Sequence, residues 1–363
     1  TNFPVLVRLD NDNFDFQAAA PQGSDVRFAL PDGTLLAHER ERHDAQSGEG
    51  LYWVRLPLVA ADEDTTFHLY YGRSSAPDGT HSHQVWTSDY IGVWHLNDAN
   101  GTTHYDASSN QWHGVVGNEP LDGEGVPGMI GGSVRLRVGR DAEDNKTYTQ
   151  YIVTDRMTFD TSDGLTFSIW AQPGDIVQHY GYVDIPLMYI GGANRGPYYV
   201  AKLCYYGHSP TGSQKERIKA YCTVWSSEGG KTLGSDRGTG FTTGVWHHAA
   251  ATFCYYEGAT NTNTTVKVYL DGLKVIENTM DGYALRKTLG PRPLGLGAET
   301  HNSYPANEPR TTFDGMLDEA RVANVVRSDA WIRASYLNQK SEDELLRYGE
   351  LERQPTGLYL LLR

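Results

Sequence analysis

Apolar residues along this chain come in short runs rich in β-branched and aromatic side chains, broken by Gly, Asp, Asn and Pro, and helical periodicity is nearly absent. Leu51-Tyr52-Trp53-Val54-Arg55-Leu56 alternates well enough to bury one face. Leu165, Phe167, Ile169 and Ala171 alternate as a core face, which leaves Trp170 on the other side. Strands are predicted at 3–9, 26–28, 51–56 and 66–71, and then at 91–96, 133–138, 150–153, 165–171, 187–191, 198–203, 217–224, 246–253, 266–270, 273–278, 294–297 and 315–322. Asp271-Gly272 between two of them is a two-residue hairpin signal. The pattern predicts an all-β chain built as a sandwich or barrel.

The spacing of these runs divides the chain into a small β domain at 1–75, a polar linker at 76–89, a larger sandwich at 90–339 and a charged tail at 340–363. The small domain has too few residues for a comfortable core of its own. It is expected to pack on the larger sandwich or to lack its first strand. One helix is predicted after Ser328, which can cap it, with Trp331, Ala334 and Ser335 on one face. The run Leu358-Tyr359-Leu360-Leu361-Leu362 is too short for the roughly 20 residues of a membrane span. It reads as a last strand or as the opening of a further segment.

Charge narrows the partners. Lys+Arg 31 against Asp+Glu 45 gives a formal net charge of −14, with no basic run to displace counterions from phosphates. Nucleic acid and anionic membranes are therefore not expected. Cys204, Cys222 and Cys254 show no Cys-x-x-Cys spacing. Cys204 and Cys222 read either as facing each other across a hairpin, open to a disulfide in an oxidising compartment, or as buried thiols.

Four segments of the larger unit carry a resemblance. They are Val93-Trp94-His95-Leu96; Asp106-Ala107-Ser108-Ser109-Asn110 with Gly114 beyond it; Trp246-His247-His248-Ala249 with Val268-Tyr269-Leu270-Asp271-Gly272; and Phe313 to Val322 with Arg327-Ser328 and Trp331-Ile332 after it. In this order they resemble the laminin-G-like, concanavalin A-like superfamily. Ser109 stands where that family usually has Gly. Asn2 to Val7, Phe14-Asp15-Phe16, Gly23 to Phe28 and Leu69-Tyr70-Tyr71-Gly72 resemble a bacterial domain of unknown function that commonly precedes such sandwiches. The resemblance implies a concanavalin A-like jelly-roll β-sandwich with a smaller N-terminal β domain packed on it. It also implies an extracellular, periplasmic or cell-envelope location.

Candidate chemistry is sparse. No strand carries the Glu-x-Asp-x-x-Glu pattern of sandwich glycosidases, no Gly-x-Ser-x-Gly or His-Glu-x-x-His motif occurs, and no catalytic residue is assigned. The run from Glu39 to Asp44 reads as solvated surface. Asp106, Asn110 and Asp318 are candidate calcium ligands, or else turn-forming side chains. His247 and His248, adjacent on a strand, make a poor zinc chelate. Aromatic and polar residues gather at Trp170, His179, Tyr180, Arg195, Tyr199, Tyr206 and Trp225, a set suited to stacking on a sugar.

Three functions fit these features. The first is a non-catalytic glycan-binding module with a structural calcium. The second is an interaction subunit of an envelope assembly, such as an accessory of a Tol/Exb-type proton channel or an adhesin, with self-association through an open strand edge. The third is a glycan hydrolase or lyase.

Overall fold

Turn residues cut the chain into antiparallel strands, and these gather into two units. A computed structural model describes residues 2–363 apart from 61, 74, 99–100, 118–125, 141–146, 175–183, 192–200, 207–216, 227–228, 235–237, 258–261, 286–287, 300–311, 355–356 and 363, with some further strand residues in backbone only. One unit comprises 1–88, 107–109 and 337–363, and the other 89–106 and 110–336. Among the described residues no helix is long and apolar enough to cross a membrane.

Among the described residues the larger unit has two large sheets and two two-stranded ones, Val138–Arg140 with Thr147–Thr149 and Met157–Asp160 with Thr288–Arg292. An eight-stranded sheet runs Val126–Pro127, Gly132–Leu136, Gly315–Ala323, Leu165–Pro173, His247–Glu257, Thr262–Leu270 and Leu273–Asp281, with Tyr90–Trp94 also paired to Gly315–Ala323. A ten-stranded sheet contains, in order, Gly229–Gly234, Arg217–Ser226, Ala201–Tyr206, Asp184–Ile190, Leu294–Leu296, Tyr151–Thr154, Gly114–Gly117 and Thr103–His104. Its remaining strands, Gly238–Thr239 and Ala284–Leu285, lie on Arg217–Ser226. Leu165, Phe167, Ile169 and Ala171 from the first sheet share one core with Ile190, Leu203, Ile218 and Ala220 from the second. Burying one such large side chain contributes about 1.5–3 kcal/mol, so this shared layer is what makes the two sheets a sandwich.

Local signals hold. Asp271 and Gly272 both take positive φ, 50° and 73°, so Leu270 pairs with Leu273 across a two-residue turn. Ser328 caps the helix Asp329–Gln339 by accepting a hydrogen bond from the Trp331 amide at 3.2 Å.

An irregularity in the strand Gly315–Ala323 changes the expected facing. Trp170 pairs with Asp318 and Ser168 with Arg321, so an extra residue is accommodated between them, and Glu319 takes φ 52°. Ala320 and Val322 therefore join Leu317 in the core. Asp318 pairs with Trp170, which alternation turns away from the core. Simple alternation would set Met316, Asp318, Ala320 and Val322 on one face; the bulge puts Asp318 on the face opposite Ala320 and Val322.

The smaller unit departs most from the predicted division. Its three-stranded sheet is ordered Phe3–Leu9, Glu49–Leu56, His38–Asp44. Its five-stranded sheet is ordered Tyr348–Gln354, Gly357–Leu362, Phe67–Tyr71, Arg27–Ala29, Leu35–Leu36. The tail at 340–363 is thus no appendage: its hairpin continues the sheet of the N-terminal strands, in register Leu360 to Leu69. The predicted linker is likewise bound into this unit. Arg40 grips Asp78 at 2.6 Å, Arg27 donates to the Pro77 carbonyl, and buried Trp86 donates its indole N–H to Glu39 at 2.6 Å. Glu39 is accordingly a buried hydrogen-bond acceptor and not solvated surface.

The expected open edge on the first strand is closed by side chains. Asn338 accepts from the Leu6 amide at 2.7 Å and donates to the Leu6 carbonyl at 2.9 Å. Tyr348 bonds the amide and carbonyl of Arg8 with its hydroxyl, at 2.9 and 2.6 Å. Pro4, earlier on this edge, has no amide hydrogen to offer.

Candidate functional site

The helix Asp329–Gln339 decides the fate of Trp170. Trp170 is only 1% exposed and stacks on Tyr336 with ring centroids 5.8 Å apart, while His248 lies 5.3 Å from its ring. Ile332 packs with Ala250 and Tyr269 beside them. The outer face of the eight-stranded sheet is thus roofed by a helix, and Trp170 is a packing residue rather than a sugar platform. Burial holds the His248 pKa down to about 4, with Arg321 adding to that and Asp271 opposing it. His247 donates its Nδ1–H to Asp271 at 2.8 Å and accepts at Nε2 from the Thr242 amide at 3.0 Å, a structural role.

The three calcium candidates are engaged separately with backbone. Asp106 accepts from the amides of Val93 and Trp112, each at 2.9 Å, fixing the loop to the strand Tyr90–Trp94. Asn110 donates to the carbonyls of Tyr90 and Ile91. Asp318 accepts from the Ile130 amide at 2.9 Å. Among the described residues neither Asp106 nor Asp318 belongs to a convergent group of His, Cys, Asp and Glu ligand atoms. These contacts are the turn-forming and loop-pinning roles that the sequence left open beside calcium ligation.

Glu319, unassigned from sequence, sits with its side chain fully buried between His95 at 2.6 Å and Arg321 at 2.5 Å. Burial pushes its pKa up, but the facing His95 and Arg321 outweigh that and hold it below the usual carboxylate range. A buried carboxylate satisfied from both sides specifies packing, since removing either partner leaves a costly uncompensated charge.

The outer face of the ten-stranded sheet is different. Lys202 and Lys219 alternate with core residues and are nearly buried, yet face away from the core. The Lys202 ammonium lies 3.6 Å from Asp184 and 3.4 Å from Glu299, and Lys219 approaches Asp184 at 3.8 Å. Tyr221, paired across strands with Lys202, presents its ring 5.0 Å from that ammonium and donates its hydroxyl to Asp184 at 3.4 Å. Burial, then the Asp184 charge, raises the Tyr221 pKa, so the phenol keeps its proton. The signal for these residues was present: a lysine between apolar neighbours in Ala201-Lys202-Leu203 and again in Ile218-Lys219-Ala220.

Tyr206 and Trp225 belong to the strands Ala201–Tyr206 and Arg217–Ser226 of this sheet, described in backbone. His179, Tyr180, Arg195 and Tyr199 lie outside the described residues. Cys204 and Cys222 are free and buried. Cys222 pairs with Ala201 and Cys204 with Lys219, so the register keeps the thiols apart and the disulfide reading fails. Burial pushes the Cys204 thiol up to about 12.

A family model described as the concanavalin A-like lectin/glucanases superfamily matches residues 145–333, just over half of the chain. The chain belongs to this superfamily. A second model, a domain of unknown function (DUF2341), matches residues 22–115. No curated protein matches in sequence. Among solved structures, domain 4 of a GH43 extracellular arabinanase from Geobacillus stearothermophilus, in complex with arabinotriose, is similar at 16% identity and TM-score 0.39, covering 68% of this chain and 97% of that one. The binding domain of Paraclostridial mosquitocidal protein 1 is similar at 14% identity and TM-score 0.42, covering 69% and 53%. The botulinum neurotoxin serotype G binding domain is similar at 11% identity and TM-score 0.42, covering 69% and 51%. The chain spans about half the length of these toxin structures. The superfamily assignment rests on the family model and not on these likenesses.

Within a superfamily sandwich, the lysine–acid–tyrosine cluster offers ammonium and phenol donors, carboxylate acceptors and an aromatic face in one patch. Such a set suits a polyhydroxylated ligand, whose hydroxyls both donate and accept. Asp184 and Glu299 both face the Lys202 ammonium.

Proposed function

We propose that the larger unit is a non-catalytic glycan-binding module whose site is the outer face of the ten-stranded sheet. The observation that carries this reading is the cluster of Lys202, Lys219, Asp184, Glu299 and Tyr221 gathered on a face that points away from the core. Desolvated charged groups cost free energy unless they are paired, and a paired cluster beside an aromatic ring is preorganised to exchange water for sugar hydroxyls. Superfamily membership supports a binding role. The reading carries with it a place outside the cytoplasm, at the envelope or beyond it, where polysaccharide is met; fractionation of the producing cells tests that separately.

A polysaccharide array and then calorimetry test the module itself. The expected result is a defined glycan class bound by the full chain, with affinity reduced about tenfold or more in Tyr221→Ala, as for loss of an aromatic stacking contact. Absence of binding to every polysaccharide class, or equal affinity in that variant, would contradict the proposal. Incubation of the same glycans with the protein should release no reducing sugar. The envelope-assembly reading loses its structural motive at the first strand, because Asn338 and Tyr348 already occupy that edge.

A further inference from the structure

Between the roofing helix and the eight-stranded sheet lies a cavity of ≈ 20 Å³, whose walls include Tyr90, Ser168, His248, Arg321, Arg327 and Trp331. Its polar wall is unusual for so small a space. Arg327 is 9% exposed and held rigidly: its guanidinium lies over the Trp331 ring at 4.1 Å and the Tyr90 ring at 5.1 Å, and one terminal nitrogen reaches Asp89 at 3.3 Å. Its Nε and Nη2 are buried with no hydrogen-bond partner. Nδ1 of His248, itself 2% exposed, is buried without a partner as well. Leaving such groups unsatisfied costs about 1–3 kcal/mol each, more for a charged one, so native proteins fill sites of this kind.

We propose that this cavity binds one small monatomic anion, chloride in ordinary media, held by Arg327 with Arg321 and His248 on the other walls. Size sets the first limit. A space of this order admits about one water-sized occupant, which excludes phosphate, sulfate, carboxylates and sugars. The walls decide between water and an anion. Guanidinium groups only donate. The hydroxyl of Thr166, also in the wall, is already spent, donating to the Val325 carbonyl at 2.6 Å and accepting from the Arg327 amide at 3.0 Å. Neutral His248 can supply a further donor as its Nδ1–H tautomer. Ser168 and Ser335 also bring hydroxyls to the wall and could accept from a water; the unpartnered Arg327 Nε and Nη2 and the His248 Nδ1 are matched by a halide, which accepts from every side. Arg321 and Arg327 both line the cavity, and an anion between two guanidiniums relieves their mutual repulsion. Glu319 and Asp89 each balance one of them from outside the cavity wall.

The consequence is a halide-dependent seat for the helix that covers this face. Thermal unfolding of the full chain at fixed ionic strength reads it out, with sodium chloride replaced stepwise by sodium gluconate, an anion too large to enter. The expected result is a Tm that rises with chloride or bromide and not with gluconate, and a halide dissociation constant weakened about tenfold or more in Arg327→Met. Ser168→Val, which narrows the cavity while leaving Arg327 in place, should also abolish the halide response, and it serves if Arg327→Met does not fold. Crystals soaked in bromide should show an anomalous peak beside Arg327. Equal Tm in chloride and gluconate, or a cavity holding water alone with no anomalous signal, would overturn the proposal.

Discussion

The two outer faces of the sandwich spend the same kinds of residue in opposite ways. On the eight-stranded sheet, Trp170, His248 and Tyr336 stack beneath a helix, and the charged pair of Glu319 and Arg321 is buried. On the ten-stranded sheet, Lys202, Lys219, Asp184, Glu299 and Tyr221 assemble a charged cluster whose acids remain partly exposed. An aromatic residue on a sheet is therefore no guide to ligand contact until it is known what covers it. Tryptophan, the better sugar platform by chemistry, is buried by the helix; on the other sheet Lys202 and Lys219 are nearly buried, and Tyr221, Asp184 and Glu299 keep part of their surface exposed.

Substitutions separate the faces. Trp170→Ala should lower stability by about 3–5 kcal/mol, as expected for a large aromatic removed from a packed site, measured by chemical denaturation. It should leave glycan affinity of the folded fraction intact. The converse change, Tyr221→Ala, should cost stability only about 1 kcal/mol while weakening binding about tenfold or more. If Trp170→Ala proves nearly neutral, the helix does not roof that face and the comparison fails.

Acid should reveal the buried imidazoles. His248 in the larger unit and His38 in the smaller one are both held down to about 4, chiefly by burial. An unfolded imidazole takes up its proton near 6.5, so between these values the unfolded chain binds more protons than the folded one. Their contribution is complete above pH 6.5, falls as pH drops toward 4, and changes no further below that. At about 1.4 kcal/mol per pH unit for each group, the loss reaches roughly 3 kcal/mol per histidine. His248→Leu should flatten the part belonging to the larger unit; an unchanged slope would mean that this ring is not buried neutral.

Smaller effects complete the comparison. Ser328→Ala removes the cap of the roofing helix and should cost about 1 kcal/mol, read as a lower Tm. Calcium chelation should shift neither Tm nor affinity, because Asp106, Asn110 and Asp318 serve the backbone. A chelator-induced drop in Tm would favour the calcium reading over the turn-forming one.

Strand positions, the Asp271-Gly272 hairpin and the capped helix were legible because each depends on a few neighbouring residues. The position of the 340–363 hairpin was not. Its partner, the strand Phe67–Tyr71, is distant in sequence, and no local pattern specifies a long-range register. Trp170 was correctly turned outward by alternation, but alternation cannot report that Tyr336 lies over it. The bulge at Glu319 defeated the same rule in the other direction by admitting one extra residue. Lys202 and Lys219 were visible as charged interruptions of apolar strands, and cross-strand pairing was needed to join them to Tyr221 and Asp184.

The most direct measurement is a calorimetric titration of the bound polysaccharide into three forms of the full chain: unaltered, Tyr221→Ala and Trp170→Phe. Binding weakened about tenfold or more by the first change and retained with the second would place the ligand beside Tyr221 on the ten-stranded sheet. Retention in Tyr221→Ala with loss in Trp170→Phe would move it to the helix-covered face and contradict the account.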